Sequence, residues 1–143
     1  METSDNKKFT SYLGDSSKAE PMTDRVPSQS TGKVGLSWRL KCKIDNQFAT
    51  IPIVERIVVG RTQDHDVVDF DLTPYDAYHY GVSRRHAIMT LVDDYLYIED
   101  LGSTNGTRIN GFQLTSKQRY RLRDGDEIEF ARLRMIIKFE ESR

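Results

Sequence analysis

Nine residues of alternating character, Leu36-Ser37-Trp38-Arg39-Leu40-Lys41-Cys42-Lys43-Ile44, decide the fold of this chain. An apolar residue occupies every second position, which is the period of a β-strand with one buried face. The Asp-Asn-Gln sequence at residues 45–47 then predicts a turn. Further apolar runs over residues 48–54 and 56–59 follow at the close spacing of a sheet. This stretch therefore predicts a β-structured domain.

Short strand-like runs continue to the end of the chain, with Asp, Asn and Gly turns between them. Asp93-Asp94 separates two such runs, and Asn110-Gly111 is a strong signal for a two-residue hairpin turn. No segment has a helical apolar stripe, and the sequence contains no internal repeat. The pattern predicts an all-β sandwich or barrel. The predicted later strands cover residues 87–92, 95–98, 107–109, 120–122, 127–130 and 134–139.

Composition limits the class of protein. The 143 residues allow one domain and a tail, and the net charge of −1 does not favour a general nucleic-acid-binding surface. The single cysteine, Cys42, predicts a small buried residue and excludes an intrachain disulfide. We find no signal peptide and no apolar run near the roughly 20 residues of a membrane helix. We therefore expect a soluble cytoplasmic protein.

The chain divides near Val34. Residues 1–33 are polar, with sparse apolar residues and several Pro and Gly, so we predict a disordered N-terminal tail. Residues 34–143 form the predicted folded domain. Within it, residues 69–82 are polar and aromatic without alternation and lead directly into Ser83. A functional loop and an ordered surface excursion are both compatible with that segment.

Three segments at predicted strand ends carry donors suited to a phosphate group. They are Gly60-Arg61, Ser83-Arg84-Arg85-His86 and Leu101-Gly102-Ser103-Thr104-Asn105-Gly106-Thr107. A phosphomonoester carries about −1.5 to −2 charges near neutral pH and three strong acceptor oxygens. The arginine fork donates two parallel hydrogen bonds, and hydroxyl and amide groups add short neutral donors. Each segment alone fits an ordinary turn, but their joint occurrence predicts a phosphate-binding module.

In this order and spacing, residues from about 36 to 140 resemble the forkhead-associated (FHA) domain, and a stand-alone, bacterial-type member of that family. The resemblance implies a β-sandwich of about eleven mostly antiparallel strands that binds phosphothreonine peptides through loops at one end. It implies that His86 supports the binding loops from behind and that Gly60 and Gly106 allow the backbone conformation of these loops. The implied phosphothreonine-binding residues are Arg61, Ser83, Arg84, Thr104 and Asn105.

The resemblance implies a signalling adaptor whose partners are threonine-phosphorylated proteins, substrates of a Ser/Thr kinase, and we expect a monomer without cofactor or metal. Two alternatives stay open. In one, the phosphorylated N-terminal tail, through Thr3, Thr10, Thr23 or Thr31, binds its own domain. The more remote one is nucleic-acid binding through Arg84-Arg85.

We do not expect an enzyme. Ser83 and His86 lack a Gly-x-Ser-x-Gly elbow and an evident orienting carboxylate. The spacing of His65, His79 and His86 fits no metal-binding pattern.

Overall fold

The computed structural model describes residues 32–141, which contain eleven β-strands and one short 3-10 turn at Thr73–Tyr75. The strands are β1 (Trp38–Ile44), β2 (Gln47–Pro52), β3 (Arg56–Gly60), β4 (Phe70–Asp71), β5 (Arg85–Val92), β6 (Tyr95–Asp100), β7 (Thr107–Ile109), β8 (Phe112–Gln113), β9 (Arg119–Arg121), β10 (Glu127–Phe130) and β11 (Leu133–Glu141).

These strands form two sheets. The five-stranded sheet has the order β9-β6-β5-β3-β4, and the six-stranded sheet has the order β2-β1-β11-β10-β7-β8. Every pairing is antiparallel except that of β3 with β4, which is parallel. The predicted sandwich of about eleven mostly antiparallel strands is confirmed.

The alternation of β1 explains how the core forms. Leu40, Cys42 and Ile44 are buried, while Lys41 and Lys43 lie on the opposite face of the strand. The apolar residues of both sheets pack into one main cluster between them. Because the Cys42 thiol is buried, its pKa is raised to about 12. Cys42 therefore acts as a small core residue, as predicted.

The local sequence predicts the hairpin of β7 and β8 but does not predict the short strand β4. Asn110 and Gly111 have φ angles of 50° and 84°, as the tight hairpin turn between β7 and β8 requires. The two-residue strand β4, in contrast, has no alternation to reveal it and arises from pairing with β3. It lies in the 69–82 segment, which is anchored to the core through Leu72 and Ala77.

The predicted disordered tail lies outside the described residues except for Gly32 and Lys33. The first core residue is Val34, which is 3% exposed and whose N–H donates to the Asp94 carbonyl over 2.7 Å. Within residues 32–141, no helix has the length and apolar character needed to cross a membrane.

Candidate functional site

The sheet topology brings the three predicted segments together. Strand β5 lies between β3 and β6 and is antiparallel to both. The end of β3, the start of β5 and the end of β6 therefore meet at one edge, with Gly60 opposite Arg85 and Ala87 opposite Asp100. Loops following Gly60 and Asp100, and the loop preceding Arg85, share this end of the sandwich.

Gly60 is required for space. A Cβ atom on this residue would overlap the carbonyl oxygen of Arg84 and lie 2.9 Å from that of Ser83. The φ angle of Gly60 is not in the left-handed region, so the reason for glycine is this close approach of two backbones at a bulge beside Val59. The glycine thus brings the Ser83-Arg84 backbone against the start of the Arg61 loop.

Arg61 is held by several contacts that orient its guanidinium. Its backbone N–H donates to the Arg84 carbonyl, and its Nε donates to the Val82 carbonyl over 2.7 Å. Nη1 donates to Gln63 Oε1 over 2.9 Å, and the group lies 5.0 Å from the centre of the Tyr78 ring. Among residues 32–141, Nη2 has no hydrogen-bond partner. The guanidinium is therefore preorganised and can still donate to an anion.

The buried side chain of His86 connects the Ser83 loop with the Gly106 loop. Its ring is fully buried, and the Ser83 backbone N–H donates to Nδ1 over 3.0 Å. Nδ1 is therefore unprotonated, and the neutral ring donates from Nε2 to the Gly106 carbonyl over 2.8 Å. The geometry is that of a supporting residue, because both ring nitrogens are occupied by backbone groups of the loops.

Acidification is expected to weaken the fold through His86. Burial lowers the pKa of His86 below its ordinary 6.5, against the opposing effects of the Gly106 carbonyl and Asp100. At pH values below 6.5, the His86 ring therefore binds protons more readily in the unfolded state than in the folded state. The free energy of unfolding falls as the pH drops toward the folded-state pKa of His86. If the folded state binds the His86 proton tenfold more weakly than the unfolded state, the free energy of unfolding falls by at most about 1.4 kcal/mol.

Urea unfolding at pH about 7.5 and about 5 measures this loss of stability. The variant His65→Gln, which changes an exposed histidine instead, serves as the control under the same two conditions. An NMR titration in which the His86 ring protonates at or above pH 6.5 would contradict the assignment.

Asp100 organises the third loop and was not singled out from the sequence. The carboxylate accepts from the backbone N–H groups of Gly102 and Ser103 and from the hydroxyls of Ser103 and Thr107, over 2.6–3.0 Å. Burial raises the pKa of Asp100, but these hydrogen bonds outweigh it and hold the pKa below its usual value. The Asp-x-Gly-Ser spacing is that of an Asx turn, the local signal that could have identified the residue.

The same loop places the remaining predicted donors. Thr104 donates its backbone N–H to Ser83 Oγ over 3.1 Å, which leaves the Ser83 hydroxyl proton for another acceptor. Asn105 is exposed, and its Nδ2 donates to the Gly81 carbonyl over 2.9 Å. Gly106 has a φ of 86°, which favours glycine, as predicted from the sequence. Ser83, Thr104 and Asn105 thus lie on directly bonded loops.

Arg84 lies at the rim of this cluster. Its side chain is exposed, and Nη1 forms an ion pair with Asp66 Oδ2 over 3.4 Å. Asp66 and Gln63 are the ends of one tight turn, joined by two backbone hydrogen bonds. That single turn therefore supplies a partner to each of the two arginines, Gln63 to Arg61 and Asp66 to Arg84. In the described part of the chain, no three His, Cys, Asp or Glu side chains are grouped to hold a metal ion.

A sandwich with arginine, hydroxyl and amide donors gathered on loops at one end defines a class of recognition module. The family model of the FHA domain matches residues 57–131, just over half of the chain. The chain belongs to the FHA domain family, and the predicted family is confirmed.

Similar proteins include both curated relatives and solved structures. Protein FraH of Nostoc sp. is 38% identical over 88 residues, covering 62% of this chain and 30% of FraH. The glycogen accumulation regulator GarA of Mycobacterium tuberculosis is 33% identical over 78 residues, covering 54% of this chain and 41% of GarA. The chain thus spans less than half the length of these two relatives.

Among solved structures, the MEK1 FHA domain in complex with a phosphothreonine peptide of HOP1 is 29% identical, with a TM-score of 0.53. The match covers 69% of this chain and 94% of that structure.

Proposed function

We propose that this protein binds threonine-phosphorylated protein segments through the loop cluster of Arg61, Ser83, Arg84, Thr104 and Asn105. The observation that carries the proposal is the convergence of an oriented guanidinium, a hydroxyl and an exposed amide on three loops joined to one another by hydrogen bonds. Membership of the FHA domain family supports it, as does the similar MEK1 FHA domain, which binds a phosphothreonine peptide.

Each side chain has a separate role in this proposal. Arg61 donates to the phosphate oxygens from its unpartnered Nη2 side, since Nε and Nη1 already have protein acceptors. Ser83 donates its hydroxyl to the same phosphate, because its oxygen accepts from Thr104 N–H. The Asn105 amide pairs with the peptide backbone, and Thr104 lies against the phosphate or the threonine methyl group.

Arg84 supplies the second cation after exchange of its partner. Its ion pair with Asp66 is exposed and long, at 3.4 Å. Exposed pairs of this kind contribute only about 0–1 kcal/mol, whereas a hydrogen bond to a charged group contributes roughly 1.5–3 kcal/mol. A bound phosphate therefore competes well with Asp66 for the guanidinium.

The number of contacts bounds the affinity. Four or five hydrogen bonds to the phosphorylated residue, less the cost of ordering a flexible peptide, leave about −8 kcal/mol, which corresponds to roughly micromolar binding. Such affinity suits a reversible adaptor. We accordingly propose a monomeric cytoplasmic signalling protein whose partners are phosphorylated by a Ser/Thr kinase.

The two alternative functions are binding of the protein's own phosphorylated tail and binding of nucleic acid. Binding of the protein's own phosphorylated tail involves Thr3, Thr10, Thr23 or Thr31, all outside the described residues, and it stays a prediction. Nucleic-acid binding through Arg84-Arg85 is the weaker candidate. The chain's net charge is −1, whereas nucleic-acid-binding domains are normally strongly basic.

Calorimetric titration with matched peptides tests the proposed function. We expect the phosphothreonine peptide to bind near micromolar and the unphosphorylated peptide not to bind measurably. The phosphoserine peptide should bind more weakly, because burial of one methyl group is worth about 0.8 kcal/mol. Equal affinity for the phosphorylated and unphosphorylated peptides would contradict the proposal.

A further inference from the structure

The outward face of the six-stranded sheet carries a second surface that shares no residue with the loop cluster. Strands β2, β1 and β11 lie side by side in this sheet. Their outward side chains form cross-strand rows, in which Lys43 lies between Phe48 and Ile136, and Lys41 pairs with Lys138. We name this surface the lysine face; its residues are Lys41, Lys43, Phe48, Ile136, Lys138 and Glu140.

The lysine face is unfavourable as it stands. Lys41 and Lys138 are direct cross-strand partners, and like charges in that position destabilise a sheet. Phe48 is 59% exposed and Ile136 is 41% exposed, so two large apolar side chains remain in water beside the lysines. Both the charge repulsion and the apolar exposure would be relieved by an acidic partner that also carries an apolar group.

The neighbouring half of the same sheet face shows the contrast. There Arg134 pairs with Glu127 over 3.2 Å and with Glu129 over 3.7 Å, so its charge is balanced within the sheet. Within residues 32–141, Lys41, Lys43 and Lys138 form no ion pair with a carboxylate. Lys41 instead places its Nζ 4.9 Å from the centre of the Phe48 ring. The excess of positive charge is therefore local to the lysine face.

The shape of this surface favours a protein side chain as its occupant. The lysine face borders a concave groove of about 340 Å³. A groove of this size accepts one or two apolar side chains, whereas a flat bilayer surface cannot enter it. Each lysine near an anionic membrane contributes only about 1 kcal/mol, so three lysines beside Glu140 make a weak lipid anchor.

We propose that the lysine face docks an acidic segment of a partner protein, with one large apolar side chain of that segment in the groove beside Phe48 and Ile136. The segment's carboxylates pair with Lys41, Lys43 and Lys138. This contact does not need phosphorylation, and it is independent of the loop cluster because the two surfaces share no residue.

NMR titration of the ¹⁵N-labelled full chain tests the proposal with an unphosphorylated peptide in which Leu-Phe is flanked by glutamates. We expect amide shifts confined to β1, β2 and the end of β11, and weaker binding as salt is raised. The same peptide with lysines in place of the glutamates should produce no shifts.

Paired variants separate the lysine face from general charge effects. The double variant Lys41→Gln/Lys138→Gln should weaken binding of the acidic peptide about tenfold, since two exposed ion pairs are lost. Arg134→Gln removes one positive charge from the same strand and the same face, and should leave the affinity unchanged. Neither change touches the core, because all three side chains point outward.

Four outcomes would overturn the proposal. The acidic peptide fails to shift the lysine face, or it binds the double variant as well as the unaltered protein. Alternatively, vesicles of phosphatidylcholine and phosphatidylserine shift this face when the acidic peptide does not. In the last outcome, this protein itself supplies the occupant. Either an unphosphorylated peptide of residues 1–31 shifts the lysine face, or the protein self-associates in a way that the double variant abolishes.

Discussion

Arg61→Ala is expected to abolish binding of a phosphothreonine peptide while leaving the fold intact. Two charge-assisted hydrogen bonds to phosphate are worth roughly 3–6 kcal/mol, so their loss reduces affinity by more than about a hundredfold. The contacts that Arg61 makes within the protein, to the Val82 carbonyl and to Gln63, lie at a half-exposed site outside the apolar core. Calorimetry on the folded variant measures the effect.

Two further variants make this result specific. Arg61→Lys keeps the charge but loses the planar fork and the Nε donor, so it should recover only a small part of the affinity. Arg108→Ala removes an arginine whose side chain contacts Gln113, on the neighbouring strand β8, and should bind as the unaltered protein does. Unchanged affinity of folded Arg61→Ala would overturn the assignment of Arg61.

Gly60→Ala should reduce both stability and binding. The added Cβ would overlap the Arg84 carbonyl oxygen, a backbone atom that cannot rotate away. Overpacking of this kind typically costs about 1–3 kcal/mol in the free energy of unfolding. Moving the Ser83-Arg84 backbone would also break the hydrogen bond from Arg61 N–H, so we expect phosphopeptide affinity to fall about tenfold or more.

Gly35→Ala is the matched control for this substitution. A Cβ on Gly35 would meet only the Trp38 ring at an ordinary 3.8 Å, and its φ is not in the left-handed region. Its stability and affinity should therefore stay close to those of the unaltered protein. If urea unfolding and calorimetry show the same result for Gly60→Ala as for this control, the close approach at Gly60 is not needed.

Alternating strands and turn residues were predictable because their signals are local. The alternation of residues 36–44 predicts which residues of β1 are buried, and Asn110-Gly111 predicts the hairpin between β7 and β8. Strand β4 could not be predicted, because two residues carry no period and its pairing with β3 is parallel, without a hairpin turn to reveal it.

The candidate site shows the same division. Arg61, Ser83 and Asn105 stand in recognisable motifs, and the sheet topology brings them to one end of the sandwich. Gln63 and Tyr78 contact the Arg61 guanidinium without belonging to any motif, because their positions depend on how the loops fold. The roles assigned to the site residues in phosphate binding stay predictions until a ligand is bound.

An NMR titration of the ¹⁵N-labelled full chain with a phosphothreonine peptide tests the central claim most directly. We expect the largest amide shifts at Arg61, Ser83, Thr104 and Asn105, with a dissociation constant near micromolar. The unphosphorylated peptide should produce no such shifts. Shifts located elsewhere on the domain, or the same shifts at these four residues without the phosphate, would contradict the proposed site.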